Sequence, residues 1–296
     1  MPLPYLIADV FTDTPLAGNP LAVFPEAAGL APETMQRIAA EMNLSESIFV
    51  QPPENPAHAA RVRIFTPGRE LPFAGHPTVG CAIALATLGR VPAPEGDSRL
   101  VLEEGVGPVP VRLTVRNGRP VFAQLTAAQP PRFSPAPLQA AIAAMLGLAV
   151  QDIAPGAEVA SCGNPFLCVE LTSREALARC KPDAAAMSVL EAYGAHAPYA
   201  WFADTVQPGR LHARMFGGGL GIVEDPATGS AAVALGGLLA ARAAQADGTL
   251  EWEILQGVDM GRPSRLLLEA EKQAGTVSAV RVGGAAVIVG EGRLLV

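Results

Sequence analysis

Glu46 stands at the entrance to an apolar run, Leu44-Ser45-Glu46-Ser47-Ile48-Phe49-Val50. A carboxyl group entering an apolar strand is expected to be neutralised or functional. Desolvation raises its pKa toward the range an acid/base catalyst needs. A solvated glutamate at a strand edge, or a partner in a helix cap, is the structural reading of the same residue. Two glycines offer a second chemistry. Gly75-His76-Pro77-Thr78 and Thr228-Gly229-Ser230-Ala231 both place glycine just before a helix-like stretch. First-turn amides lack carbonyl partners and sit at the positive end of the helix dipole. A carboxylate or a developing enolate could be held there without a metal. Close helix–sheet packing accounts for one such glycine; two in one register favour an anion site. His76, at a Gly-Pro helix start, is expected to be a hydrogen-bonding site residue. Asp225, beside Glu224, is expected to cap the helix that follows, a role compatible with holding a ligand.

The segments that must position these residues occur twice. Gly18-Asn19-Pro20 recurs as Gly163-Asn164-Pro165, each time ahead of an apolar run. Glu70-Leu71-Pro72-Phe73-Ala74-Gly75 recurs as Glu224-Asp225-Pro226-Ala227-Thr228-Gly229, one E-x-P-x-x-G frame in the same order. The repetition predicts two similar domains with the chemistry between them. Glu46 has no acidic counterpart in the second half. In the first half, strands are expected at 5–11, 21–24, 47–51, 60–65, 101–103, 109–115 and 121–125. Asn117-Gly118 is a hairpin turn signal. Pro32 and Glu33 open a helix whose apolar face is Met35, Ile38, Ala39 and Met42. A second helix spans about 77–88. The second half reads as helices at 138–146, 175–179, 187–193 and 227–244. Its strands lie within 156–171 and at 199–204, 211–216, 254–258, 265–270, 277–282 and 287–296. The glycine run from Gly217 to Gly221 reads as a hinge or lid, since it lacks a phosphate-loop lysine and the dinucleotide fingerprint. Strands outnumber helices, and each half offers one long buried helix, which suits an α+β domain.

Composition narrows the partners. The chain has 296 residues, half of them apolar and 17% charged, enough for two buried cores. A net charge of −7 argues against a nucleic-acid or anionic-membrane surface. Cys81, Cys162, Cys168 and Cys180 show no C-x-x-C spacing, and His58, His76, His196 and His212 are scattered. Reduced thiols and no metal are expected. No signal-peptide pattern opens the chain, and no apolar stretch is long enough to span a bilayer, so a cytoplasmic protein is expected.

Asp9-Val10-Phe11-Thr12 with Gly18-Asn19-Pro20-Leu21-Ala22-Val23-Phe24, Leu44-Ser45-Glu46-Ser47, Phe65-Thr66-Pro67 with the frame ending in Gly75-His76-Pro77-Thr78, and Glu224-Asp225-Pro226-Ala227-Thr228-Gly229-Ser230-Ala231 together resemble the PhzF-like (phenazine-biosynthesis-like) family. The likeness runs in order over nearly the whole chain. It implies an α+β, diaminopimelate epimerase-like fold. Two pseudo-symmetric domains would each be a curved, mostly antiparallel sheet around a central helix, with the active site between them, in a homodimer. The first domain would comprise 1–117 with about 283–296, and the second 118–282.

The resemblance further implies cofactor-free isomerisation of a small carboxylate-bearing metabolite, as with trans-2,3-dihydro-3-hydroxyanthranilate. Glu46 would move the proton. Gly75, His76, Asp225, Gly229 and Ser230 would hold the substrate, and Asn19 is counted with them. Related racemases carry a thiol acid/base pair; the matching places here, Ala74 or Gly75 and Thr228, are not thiols. The family often has Arg-x-Phe-Ala-Pro where this chain has Arg214-Met215-Phe216-Gly217-Gly218, so a more mobile loop is expected. A single-base isomerase is the leading expectation. An epimerase or racemase of an amino-acid-like substrate, and a non-catalytic small-molecule binder on the same fold, are the alternatives.

Overall fold

The computed structural model describes residues 2–217 and 223–296. Its chain divides into two units, Met1–Ala128 with Val282–Val296, and Gln129–Arg281. The proline expected at Gly218, and most of the glycine loop expected at 217–221, lie outside the described residues.

In the first unit β1 (Pro2–Val10) and β2 (Asn19–Phe24) form an antiparallel pair. Helix α1 (Pro32–Met42) then carries the chain over to β3 (Glu46–Gln51), which lies parallel to β2. A parallel neighbour needs such a crossover. β4 (Ala60–Phe65) runs antiparallel to β3, and the short β5 (Glu70–Leu71) folds back on β4. Helix α2 (Gly75–Thr87) leads to β6 (Gly96–Glu104), parallel to β4. β7 (Gly107–Arg116) and β8 (Arg119–Thr126) complete the series as antiparallel neighbours. Their turn has positive φ at both Asn117 (53°) and Gly118 (69°), as a tight hairpin requires.

The second unit follows the same plan. β9 (Arg132–Pro135) pairs with β10 (Glu158–Ser161), with helix α3 (Gln139–Leu146) between them in sequence. β11 (Pro165–Glu170) is antiparallel to β10. Two short helices, α4 (Arg174–Arg179) and α5 (Ala184–Met187), and a 3-10 segment at Ser188–Tyr193 stand where the first unit has α1. β12 (Ala197–Ala203) is parallel to β11 and β13 (Arg210–Phe216) antiparallel to β12. β14 (Glu224–Asp225) folds back on β13, α6 (Gly229–Arg242) follows, and β15 (Gly248–Gln256) lies parallel to β13. β16 (Ser264–Gln273) is antiparallel to β15. β17 (Thr276–Gly284) and β18 (Ala286–Leu295) end the chain, β18 pairing with β1. From β1 to β7 and from β10 to β16, each strand meets its neighbour in the same sense. The repeat seen in two short motifs is a repeat of topology.

The unit boundary falls at 128/129, just before the proline-rich segment 129–137 that itself signals a break in the sequence, and not at 117/118. The reason is β8, which the tight Asn117-Gly118 turn ties to β7 of the first unit. Several elements also start earlier than the apolar pattern suggests. α2 begins at Gly75, ahead of Pro77. β6 and β15 begin at Gly96 and Gly248, where both strands are still exposed and carry no period-two signal. The helix expected at 187–193 is largely 3-10.

The core follows from the residue types. In α1, Pro32 occupies the first turn, Met35, Ile38 and Ala39 are buried, and Asn43 closes the helix in the left-handed region. Below it Phe24 stacks on Phe49 at 4.6 Å and Phe65 meets Phe49 edge-on at 5.5 Å. Helix α2 is buried along its length from Gly75 to Ala86, and α6 from Gly229 to Leu238. Small apolar residues on every face let each helix sit inside its sheet. No described helix is long and apolar enough to cross a membrane.

Candidate active site

The E-x-P-x-x-G frame has the same anchor in each unit. Glu70 takes a bidentate pair from Arg63 at 2.7 and 2.6 Å, and Glu224 takes one from Arg214 at 2.8 and 2.8 Å. Arg63 lies over Phe65 at 5.3 Å and Arg214 over Phe216 at 4.9 Å. The shared unit is therefore Arg-x-Phe on one strand and glutamate on the next. These glutamates fix the turn that leads to each helix.

In the first unit, three expected site residues come together. Asn19 opens β2 and is fully buried. The loop before it needs positive φ at Phe11 (63°), Leu16 (68°) and Gly18 (65°). Asp9 steadies it by accepting the Leu16 amide at 2.7 Å. His76 lies in the first turn of α2, and its Nδ1 is 3.2 Å from Asn19 Nδ2. Its Nε2 is 3.4 Å from Glu46 Oε2, the first residue of β3. Burial pushes the imidazole down to about 3, so it is neutral at ordinary pH and the contact to Glu46 is not an ion pair. With the Asn19 amide nitrogen assigned toward Nδ1, that ring nitrogen accepts and the proton sits on Nε2, facing the carboxylate. The separation is long for a hydrogen bond, as catalytic contacts without substrate commonly are. The Glu46 side chain keeps 15% of its surface exposed. A carboxyl group beside a neutral imidazole and still open to a small molecule can exchange a proton with it.

The start of α2 offers backbone donors as well. The Thr78 amide bonds Ala74 O, and Pro77 has no N–H. Gly75 and His76 hold the first-turn amides that have no carbonyl one turn back.

In the second unit Asp225, Gly229 and Ser230 gather at the start of α6, all buried. Asp225 does not itself stand at the N-cap position. The N-cap is Thr228, whose hydroxyl donates to Asp225 Oδ2 at 2.6 Å. Gln256, fully buried at the end of β15, ties this turn together. Its Nε2 donates to Asp225 O at 2.8 Å and to Thr228 Oγ1 at 3.0 Å. Its Oε1 accepts from Tyr199 Oη at 3.0 Å and from the Thr228 amide at 3.2 Å. Here Gly229, Ser230 and Ala231 hold the first-turn amides, since the Ala232 amide already bonds Thr228 O.

Register places the missing acid. In the parallel pair of the first unit Leu21 is opposite Glu46. In the second unit the residue at the same step after Gly-Asn-Pro is Phe166, and it is opposite Ala197. The second unit thus has alanine where the first has its glutamate. Cys81 and Cys162 are buried thiols pushed up by desolvation, Cys162 to about 12. Neither is an activated nucleophile or base.

Glu104 and Gln256 are not among the residues expected from the sequence. Their signal was present: an acid or amide followed by glycine, Glu104-Gly105 and Gln256-Gly257, downstream of each frame.

The sequence profile of the phenazine biosynthesis-like protein family matches residues 8–292. The chain belongs to the phenazine biosynthesis-like family. It is 44% identical to an uncharacterized isomerase of Mesorhizobium japonicum, over 99% of this chain and 98% of the relative. It is 40% identical to a trans-2,3-dihydro-3-hydroxyanthranilate isomerase of Pseudomonas fluorescens, over 98% and 99% of the two chains. The crystal structure of a PhzF-family phenazine biosynthesis protein of Bacillus anthracis superposes with a TM-score of 0.89 at 28% identity, each chain covered in full. The protein is an isomerase of this phenazine biosynthesis-like type, on an α+β, diaminopimelate epimerase-like fold.

Proposed function

We propose that this protein moves a proton along a small carboxylate-bearing substrate, without a cofactor and with Glu46 as its single base. The substrate is of the kind handled by relatives named trans-2,3-dihydro-3-hydroxyanthranilate isomerase. The Glu46 carboxylate takes a proton from a carbon acidified by an adjacent π-system. The electron pair delocalises into that system, and the carboxylic acid now at Glu46 returns the proton at its far end on the same face. Neutral His76, held by Asn19, orients the carboxylate. The amides of Gly75 and His76 from one unit, and of Gly229 and Ser230 with Asp225 from the other, hold the substrate and the charge that develops on it. We further propose that the protein is a cytoplasmic homodimer.

The observation that carries this reading is the asymmetry of a repeated frame. Glu46 lies beside His76 in one unit, and Ala197 holds its register position in the other. One base favours migration of a proton over inversion of a centre, which needs proton exchange at both faces. The test is Glu46→Gln. Turnover of trans-2,3-dihydro-3-hydroxyanthranilate should fall by about 10²–10⁴, the usual contribution of a general acid/base. Substrate binding and thermal unfolding should stay as in the wild type. Full activity in this variant would sink the proposal.

A further inference from the structure

β6 and β15 have one burial profile, exposed at the start and buried at the last residue, Glu104 in one and Gln256 in the other. The glycine after each packs on the proline of its frame. A Cβ on Gly105 would lie 2.8 Å from Pro72 Cα, and one on Gly257 would lie 2.6 Å from Pro226 O. The side chain before each glycine reaches the residue that precedes its helix. Gln256 Oε1 accepts the Thr228 amide at 3.2 Å. The Glu104 carboxyl receives the Ala74 amide, and its Oε1 lies 2.6 Å from Thr78 Oγ1.

We propose that Glu104 and Gln256 are equivalent positioning residues for the two helix starts, and that Glu104, standing where the other unit has a neutral amide, acts as an uncharged acid. The hydrogen-bond count supports this. Thr78 Oγ1 has one proton but lies 2.7 Å from Ala74 O and 2.6 Å from Glu104 Oε1. Two full hydrogen bonds require that Thr78 donates to the carbonyl and Glu104 donates to Thr78, whereas an ionised Glu104 would have to share the single hydroxyl proton with the carbonyl. The other oxygen, Oε2, is buried with no hydrogen-bond partner. The Ala74 amide and Thr78 favour the ionised form, but burial outweighs them, and ionisation would leave Oε2 buried without a hydrogen bond of its own. Burial raises the group to about 8, in agreement.

Among the described residues, the elements packed against Glu104 bring no cation to reverse this. From α2 the Cys81 thiol faces Glu104, whose negative charge would disfavour the thiolate. Across β7 the paired residue is Gly107. From β4, Arg61 is opposite Glu103 and bonds Glu54. Glu103 itself is turned to His58 at 2.8 Å. The segment Pro72-Phe73-Ala74 has no titratable side chain. Glu104 thereby sets the first turn of α2, which bears Gly75 and His76.

For its effect on turnover this inference rests on the proposed function; its structural claim does not, so the two are tested separately. The infrared difference spectrum between wild type and Glu104→Gln at neutral pH should show a protonated carboxyl band in the wild type, lost as pH rises past about 8. A folded-state pKa raised from 4.5 to about 8 gives stability that is complete below the lower value and lost as pH rises through the higher one. Glu104→Gln should therefore match the wild-type Tm in mild acid and exceed it in alkali. Glu104→Ala should lose Tm at both, shift the His76 ring resonances and lower kcat about tenfold, the effect of about one hydrogen bond. Glu104→Gln should restore all three. An ionised carboxylate band at neutral pH, or a Glu104→Gln variant as impaired as Glu104→Ala, would overturn the inference. A fully active Glu46→Gln enzyme would defeat the proposed function and leave the infrared result standing.

Discussion

An uncharged imidazole next to the proposed base sets what each residue of the site can do. His76 cannot neutralise Glu46, because burial holds it neutral down to about 3. It can donate one hydrogen bond, provided that Asn19 fixes its tautomer. Removing that donor in His76→Ala should cost the worth of a hydrogen bond to a charged group, about 1.5–3 kcal/mol, or roughly ten- to hundredfold in kcat/KM. The wild-type pH–rate profile should show no inflection from this histidine near its ordinary 6.5. An inflection there that His76→Ala removes would contradict the neutral-donor role. At this scale much was legible in the sequence. Glu46 and His76 stand out by type and spacing and Asn19 by the family resemblance, and the fold brings the three together. The N-cap residue is Thr228, three residues past Asp225, whose carboxylate takes the Thr228 hydroxyl. Glu104 and Gln256 were not read at all. Each ends a strand far along the chain from the helix it holds, and only strand pairing shows that proximity.

Short elements hold these groups by backbone geometry. Asn19 depends on the loop from Phe11 to Gly18, and Asp225 depends on the turn packed under Gly257. Gly257 has φ +74°, and a Cβ there would lie 2.4 Å from Arg262 O and 2.6 Å from Pro226 O. Gly257→Ala should cost about 1–3 kcal/mol of backbone strain or more. The loss should appear as a lower urea midpoint with the slope unchanged, and as a raised KM if the Asp225 turn binds substrate. A variant as stable as wild type would mean that this glycine is not needed for the close approach. Gly18→Ala should behave alike, since its Cβ would meet Val10 O at 2.4 Å with φ at +65°. The sequence showed α1 well, because its apolar stripe and its Pro32 and Asn43 ends are local signals. It showed the beginnings of β6 and β15 poorly, because those residues face solvent and carry no alternation. The second-unit counterpart of α1 is broken into α4, α5 and a 3-10 turn, so the repeat is hidden there.

Across the whole molecule, duplication supplies the frame and divergence supplies the chemistry. Both units keep the arginine–glutamate anchor, the buried central helix and the strand-end residue that holds the helix start. They differ at Glu46 and Ala197, at His76 and Ser230, and at Glu104 and Gln256. Two of these differences leave the first unit with buried titratable groups of opposite effect on stability. His76 is lowered from 6.5 to about 3, so its contribution is complete above 6.5 and is lost as pH falls toward 3. Glu104 works the other way, losing stability as pH rises from 4.5 to about 8. Between 4.5 and 6.5 the two slopes oppose each other, and above 6.5 only that of Glu104 remains. Thermal unfolding across pH should show His76→Gln flattening the acid limb and leaving the alkaline limb in place. Loss of both limbs in that variant would mean that the two groups are not independent. The central claim is that one base carries a proton along one face of the substrate. It is tested most directly by turning over trans-2,3-dihydro-3-hydroxyanthranilate in deuterated water and locating the label by NMR. The account predicts that the substrate's own proton is largely retained, that any deuterium acquired lies on one face of the single carbon that accepts the proton, and that turnover in Glu46→Gln falls by about 10²–10⁴. Label with inversion at the carbon that lost its proton, or the same labelling by Glu46→Gln, would contradict it.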